Sequence, residues 1–271
     1  MLVEARKALR HCVAANQDSS KSHRPCGSGG AVAAIPPVTP TFSWGPPDAK
    51  FQEPAQSTSS DDTDPVGSWV DNVSNDDLDQ GTAAAKPTLS TGDGPNSLDH
   101  LVLDGGDYLS TSGNSGLTGD IDVEVLSIIN VDAGISGWDR WFQIGSGAAA
   151  EFYGGMDGSG NWTIAFNGSW VTFGAYTTGS WLAVHCKKVP GASTSTNTRL
   201  WVDGSEKSGT SNGSGATPNV TATAFHVGAN GGGPASHFDG LIAGVYVWDG
   251  GLTDGQRTDV FSWVSNYYGL G

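Results

Sequence analysis

The residues best placed to do chemistry are acids in alternation. Asp120-Ile-Asp122-Val-Glu124 carries a carboxylate at every second position, and in an extended strand such positions share one face. Asp120 and Glu124 on that face are candidates to flank a glycosidic bond, as nucleophile and as acid and base. Asp122 and Glu124 would be costly against a core, so the face is expected to be solvated. A second group is aromatic. The chain has 10 Trp; indole faces stack on the apolar faces of pyranose rings, while Asp and Asn side chains bond the hydroxyls. Trp138, Tyr153 and Trp170 fall in a turn-rich stretch with Asp139, Asp157 and Asn167. These are the candidate carbohydrate-binding residues, whereas Trp162, Trp181, Trp201 and Trp248 are expected to pack in the core and hairpins.

Asp71, Asp104, Asp107 and Asp239 sit at turns, where carboxylates and carbonyls suit Ca2+. They are candidates for a structural ion, with turn capping as the simpler role, and no other cofactor is expected. His11, Cys12, His23 and Cys26 match no standard zinc spacing. His100, His185, His226 and His237 have no nucleophile signature near them. The glycines of GANGGGP lie between strands rather than at a strand-to-helix junction, so they are not a phosphate loop. An odd number of cysteines, 3, is a poor disulfide framework. Cys186 shares a face with Leu182 and Val184 in WLAVHCKK, which predicts a buried thiol.

The elements that must position these groups are short. Gly 40 is about twice the usual share; with 15% charged and 37% hydrophobic residues it suits an all-β chain with many turns and a real core. WTIAF-NG-SWVTF predicts a hairpin turning at Asn167-Gly168, and TRLWV-DG-SEKS a second at Asp203-Gly204. LDHLVLDGGDYL reads as a strand, a glycine turn and a short strand. In the closing stretch, Leu241, Val245 and Val247 with Tyr246 and Trp248 between them predict a strand buried on both faces. Thr253 and Gln256 then form a capping box, Val260, Phe261, Val264 and Tyr268 follow at helical spacing, and Gly269 suits the residue after the helix.

Residues 1–63 differ in texture. Pro36, Pro37, Pro40, Pro46, Pro47 and Pro54 predict an extended arm, yet Phe42, Trp44 and Phe51 are more aromatics than a solvated linker needs. They are expected to dock the arm on another subunit of a larger assembly. Charge follows the same division: through Lys50 there are 6 basic residues against Glu4, Asp18 and Asp48, whereas the other 25 acids face only 7 bases. So acidic a body argues against nucleic acid or an anionic membrane as partner. No stretch has the apolar length of a membrane span, and Arg6, Lys7 and Arg10 interrupt the one early apolar run that could serve as a leader.

Several pieces resemble, in order, a laminin-G-like jelly roll of the concanavalin A-like lectin/glucanase superfamily. They are GSWVDNVSNDD, LDHLVLDGGDYL, WFQIGS, TRLWVDG, FHVGAN, FDGLIAGVYVWDGGLTDGQR and the helix ending SNYYGL, which is similar to bacterial and viral members. The resemblance implies an antiparallel β-sandwich over residues 64–271 with a short C-terminal helix and an extended arm. Asp120 to Glu124 resembles the acidic strand of laminarinase-type hydrolases, with Asp where that family has Glu. In metal-binding members an acid follows the FDG turn, where this chain has Ala243 and Gly244. The expectation is therefore a non-enzymatic module, displayed on a virion or extracellular surface through its arm and contacting glycans. A secreted polysaccharide hydrolase and a purely structural virion component are the alternatives.

Overall fold

The computed structural model describes residues 42–45, 47, 49–52, 62–71, 73, 76–111, 117–132, 137–145, 151–166, 169–192, 194–213, 220, 224–229 and 236–271. In chain order the strands are β1 (Ala49–Gln52), β2 (Ser68–Trp69), β3 (Leu78–Asp79), β4 (Thr88–Ser90), β5 (His100–Asp104), β6 (Leu109–Thr111), β7 (Val123–Val131), β8 (Asp139–Ile144) and β9 (Phe152–Met156). They continue with β10 (Asn161–Phe166), β11 (Ser169–Ala175), β12 (Trp181–Lys188), β13 (Thr198–Val202), β14 (Ser205–Lys207), β15 (Thr210–Asn212), β16 (Phe225–Val227) and β17 (Asp239–Asp249), before the helix α1 (Asp254–Tyr268).

Two antiparallel sheets face each other. One has the order β14-β13-β12-β7-β17-β5-β4, with β1 also on β17; the other runs β15-β11-β10-β9-β8-β16-β6-β3-β2. The predicted all-β sandwich is therefore the fold. The first sheet is the middle of three layers, which is why β7, β12 and β17 read as apolar runs rather than as alternations. Along β7, Val123, Val125 and Ile129 face the second sheet, while Leu126 and Ile128 belong to a second cluster beneath α1. Cys186 is buried in the intersheet core, and burial pushes its thiol up.

The helix forms where the sequence places it. Thr253 Oγ1 accepts from Gln256 N–H, Gln256 Oε1 accepts from Thr253 N–H, and Gly269 closes the helix at φ 69°. Val260, Val264 and Tyr268 turn onto the sheet, where the Tyr268 and Tyr246 hydroxyls meet at 2.6 Å. The DG turn is also as expected, with Asp203 and Gly204 at φ 48° and 75°. The strands of LDHLVLDGGDYL do not form a hairpin: β5 joins one sheet and β6 the other, so the glycine turn carries the chain across the sandwich.

The described part of the arm packs on the sandwich. The structure continues the sandwich back past residue 64, because β1 pairs with β17 from Ala49↔Val247 to Gln52↔Gly244. Phe42 and Trp44, expected to dock on another subunit, pack within their own chain. They stack on each other with centroids 4.5 Å apart, Phe42 sets its ring against Trp263, and Trp44 Nε1 donates to Asp259 Oδ2 at 3.4 Å. The rings cover apolar surface that α1 leaves over on its own chain. Phe51 lies in β1, and its side chain is outside the described residues, as are His11, Cys12, His23 and Cys26.

Candidate functional site

The predicted acidic pair is split between the two faces of its sheet. Neighbouring residues on a strand point oppositely, and Lys187 and Lys188 on β12 do so. Glu124 takes Lys187 on the helix side, with Oε1 at 2.9 Å from Nζ. Asp120, which precedes β7, takes Lys188 on the other side at 2.7 Å and also accepts from Gly191 N–H. Glu124 is fully buried, and its carboxylate receives Arg257 through both Nε and Nη2, His185 Nε2 at 2.7 Å and Leu252 N–H. Burial alone would raise its pKa; His185, Arg257 and Lys187 outweigh that and hold it well below the usual carboxylate range. The expectation of a solvated face is thus corrected, and Asp120 and Glu124 do not flank one site. They fasten the helix and a loop to the sheet.

The aromatic candidates converge on the outer face of the nine-stranded sheet. Register builds that face row by row. His226 pairs with Gln143, Gln143 with Tyr153, Tyr153 with Ala165, Ala165 with Trp170 and Trp170 with Asn212. The next row holds Arg140, Gly155, Thr163, Thr172 and Thr210. Opposite parity gives the core row of Val227, Phe142, Gly154, Ile164 and Val171.

A β-bulge makes this arrangement. The register of β8 against β9 slips between Arg140 and Phe142, so Trp141 and Phe142 both enter the core while Arg140 and Gln143 share the outer face. Gly154 lies opposite; a Cβ there would come within 2.6 Å of both rings. Arg140 Nη1 donates to Gln143 Oε1 at 2.6 Å and Glu151 Oε2 at 2.8 Å, and its guanidinium lies 3.7 Å over the Tyr153 ring. Burial raises the pKa of Glu151 against the pull of Arg140, and pushes Tyr153 up to about 12. Arg140 Nε, Thr163 Oγ1 and His226 Nδ1 are buried without a hydrogen-bond partner among the described residues.

Trp138 reaches across this face. It precedes β8, yet its ring meets that of Trp170 on β11 edge to face, with centroids 5.2 Å apart at 80°. Three strand spacings, about 14 Å, separate the two strands, so the indoles bridge β9 and β10. Trp138 is the large hydrophobic residue left exposed among the described residues, at 37%, and Trp170 is half-buried. Asp139 follows Trp138 at the entrance of β8, and Asp157 lies beyond β9. Burial raises the pKa of the Tyr176 hydroxyl, and the charges of Asp139 and Asp157 add to it, which places the three together. Asp157 also holds its turn, accepting from Ser159 and Asn161 N–H.

Of the predicted sugar-binding set, Trp138 and Trp170 are in contact and Asp139 and Asp157 lie at one end of the same sheet. Tyr153 is buried beneath Arg140, and Asn167 lies outside the described residues. Arg140, Gln143, Tyr176, His226 and Asn212 escaped the sequence reading; cross-strand pairing is the signal that finds them. Of the four aspartates proposed for Ca2+, Asp104 and Asp239 are cross-strand partners with Asp107 beside Asp104, while Asp71 stands apart in its own turn. Asp71 accepts from Val73 N–H, Asp107 from Asp104 N–H and Asp104 from Gly106 N–H. Among the described residues no group of three or more His, Cys, Asp or Glu is arranged to hold a metal, and no helix is long and apolar enough to cross a membrane.

A laminin-G-type family model described as the concanavalin A-like lectin/glucanases superfamily matches residues 103–256, more than half the chain. No curated protein matches the chain in sequence. Among solved structures it is similar to a Trypanosoma rangeli sialidase in complex with 2,3-difluorosialic acid, with a TM-score of 0.56 and 14% identity over 81% of this chain and 33% of that one. The same sialidase with the inhibitor DANA gives 0.51 and 13% over 96% and 38%. Domain 4 of an extracellular arabinanase from Geobacillus stearothermophilus, in complex with arabinotriose, gives 0.49 and 16% over 79% and 97%. The chain spans about a third of the sialidases it matches. These likenesses are of fold. The expectation of a non-enzymatic chain is withdrawn, since the sandwich is shared with sialidases.

Proposed function

Because the chain belongs to the concanavalin A-like lectin/glucanase superfamily, we propose that it is a carbohydrate-binding sandwich that holds glycan at Trp138 and Trp170. The observation that carries this reading is the exposure of Trp138, held in solvent by its edge-to-face contact with Trp170. A ring kept outside the core exposes apolar area at a cost that a stacked sugar recovers. Thr172, Thr210 and Asn212 supply hydroxyls and an amide along the adjoining strands; Asn212 Nδ2 already donates to Thr172 Oγ1 at 3.0 Å. The likeness to sialidases, of which the chain would be one part, favours a role in glycoside processing.

The test is binding to a glycan array by the whole chain, with Trp138→Ala and Trp170→Ala as separate variants. Each is expected to lose about tenfold or more in affinity while keeping its melting temperature within a few degrees. Array binding that survives both substitutions would remove the site. Release of reducing sugar from a polysaccharide panel tests hydrolysis separately.

A second reading concerns display, and one observation favours it. The arm enters beside α1, on the outer side of the eight-stranded sheet, whereas Trp138 and Trp170 lie on the outer side of the other sheet. Residues before Phe42 are therefore suited to tether the sandwich to a virion or another extracellular assembly with its glycan face outward. Deleting residues 1–41 should abolish incorporation into that assembly and leave glycan binding unchanged; incorporation by the truncated chain would refute the tether.

A further inference from the structure

We infer that the glycan held at Trp138 and Trp170 is an uncharged chain, and that the face discriminates against sugars bearing carboxylates. This rests on the carbohydrate-binding reading above and concerns where the cations are. Recognising a sialic acid or a uronate calls for a cationic donor able to approach the sugar, most effectively a forked guanidinium. Beyond Lys50 the chain has Lys86, Arg140, Lys187, Lys188, Arg199, Lys207 and Arg257. Lys187, Lys188, Arg199, Lys207 and Arg257 belong to β12, β13, β14 and α1, in the other sheet and the layer over it, and the Lys86 ammonium lies beside Gly67 at the β2 edge of the nine-stranded sheet, four strands from β8.

Among the described residues Arg140 is left, and its Nη1 is already held by Glu151 and Gln143. It is 8% exposed and lies flat on Tyr153. Its charge is cancelled by a carboxylate 2.8 Å away that is itself buried. At 8% exposure its remaining donors face little solvent, and a sugar carboxylate reaching them would be buried beside the like charge of Glu151.

Around the exposed indole the field has the opposite sign. Asp139 is the next residue, and Asp157 follows Met156, the cross-strand partner of Asp139 on β9. Asp139 feels Asp239 in turn, after the effect of its own burial. Hydroxyl-rich, uncharged chains suit such a rim, because carboxylates accept from sugar hydroxyls. An anionic chain would meet Asp139 and Asp157 without a counter-charge.

The experiment is a glycan array that carries neutral chains beside their sialylated and uronate-bearing counterparts, followed by calorimetry on one matched pair at low and high ionic strength. The expected result is binding of neutral chains, with the acidic counterpart about tenfold weaker or worse. That gap should narrow at high salt, where exposed charges are screened, and narrow again in Asp139→Asn. Acidic chains bound as well as their neutral counterparts, or better, would overturn this inference and leave the carbohydrate reading standing. An array on which nothing binds would overturn the carbohydrate reading itself.

Discussion

Glu124 on β7 and Arg257 on α1, 133 residues apart in sequence, form a two-point ion pair in the interior, with Nε and Nη2 of the guanidinium on the two carboxylate oxygens. The pair decides which face of the molecule can bind. Arg257 also donates to Leu252 O and Asp254 Oδ1, and its guanidinium carbon lies 4.2 Å over the centre of the Trp201 ring. A carboxylate so saturated cannot act as a nucleophile or proton donor. It locks the helix over the eight-stranded sheet, whereas the exposed Trp138 lies over the nine-stranded sheet.

Glu124→Gln is therefore expected to be a stability variant. Removing the negative charge leaves Arg257 and Lys187 facing a neutral amide in the interior, and losing one partner of a buried pair costs about 3–5 kcal/mol. Urea unfolding should show that loss as a lower midpoint, with glycan affinity unchanged at temperatures where the variant is folded. Loss of glycan affinity or of hydrolysis by a variant of wild-type stability would return Glu124 to the active-site candidates. The acid side carries a sign as well. The folded pKa of Glu124 is depressed, so its contribution is present above the unfolded value, near 4.5, and fades as pH falls toward the folded one.

The two indoles should behave as a unit. Trp170 holds Trp138 upright, so Trp170→Ala frees the exposed ring as well as removing its own. In a double-mutant cycle on glycan affinity, the two losses should couple by about 1 kcal/mol, the range of an aromatic pair. Additive losses measured by calorimetry would mean that each ring meets the sugar independently.

Much of the fold is legible in the sequence because its signals are local. The Thr253-Gln256 box, the Asp203-Gly204 turn and the doubly buried run of β17 each specify their geometry within a few residues. The site is less legible because it depends on register. Arg140 and Gln143 are an odd number of residues apart and should face opposite ways; the bulge at Trp141 reverses that, and nothing in WDRWFQI announces it. β9 is similarly obscured, since Gly154 and Gly155 in FYGGM read as a turn. The acidic alternation misleads for the opposite reason. It is a correct strand pattern for Asp122 and Glu124, but β7 begins at Val123, so Asp120 takes the other side.

Gly154 tests that account of the bulge. A Cβ would stand 2.5 Å from the Phe142 ring and 2.6 Å from that of Trp141, and both rings are fully buried. Gly154→Ala should destabilise the domain by about 1–3 kcal/mol through overpacking. It should also weaken glycan binding, because displacing Trp141 disturbs the bulge that orders the outer rows. A stability equal to wild type in thermal melts would mean that the rings have room to shift.

His226 supplies a pH test of the same face. Burial pushes its pKa down to about 4, below the value near 6.5 of an unfolded chain. The folded state therefore resists protonation. Its stabilising contribution is complete above about pH 6.5 and is lost as pH falls through 4, amounting to about 3 kcal/mol. Asp107, raised to about 6 chiefly by its burial, works in the other direction, losing its contribution as pH rises through that value. The difference between wild type and His226→Gln isolates the imidazole: the variant's stability should fall less between pH 7 and 4. Parallel pH profiles in urea unfolding would show that His226 titrates alike in the folded and unfolded chain.

The docked arm gives the last prediction. β1 covers the edge of β17 from Gly244 to Val247, and Phe42 and Trp44 cover α1. Deleting residues 1–41 should leave the melting temperature unchanged. Deleting residues 1–53 uncovers four residues of an apolar central strand, a ready template for pairing with a second chain. That truncation should melt several degrees lower and show concentration-dependent association by light scattering. Phe42→Ala with Trp44→Ala in the full chain separates the two contributions, since it removes the cover on the helix and leaves the strand pairing in place; it should lower the melting temperature without association. A 1–53 deletion as stable and monomeric as the full chain would place the whole arm outside the folded sandwich.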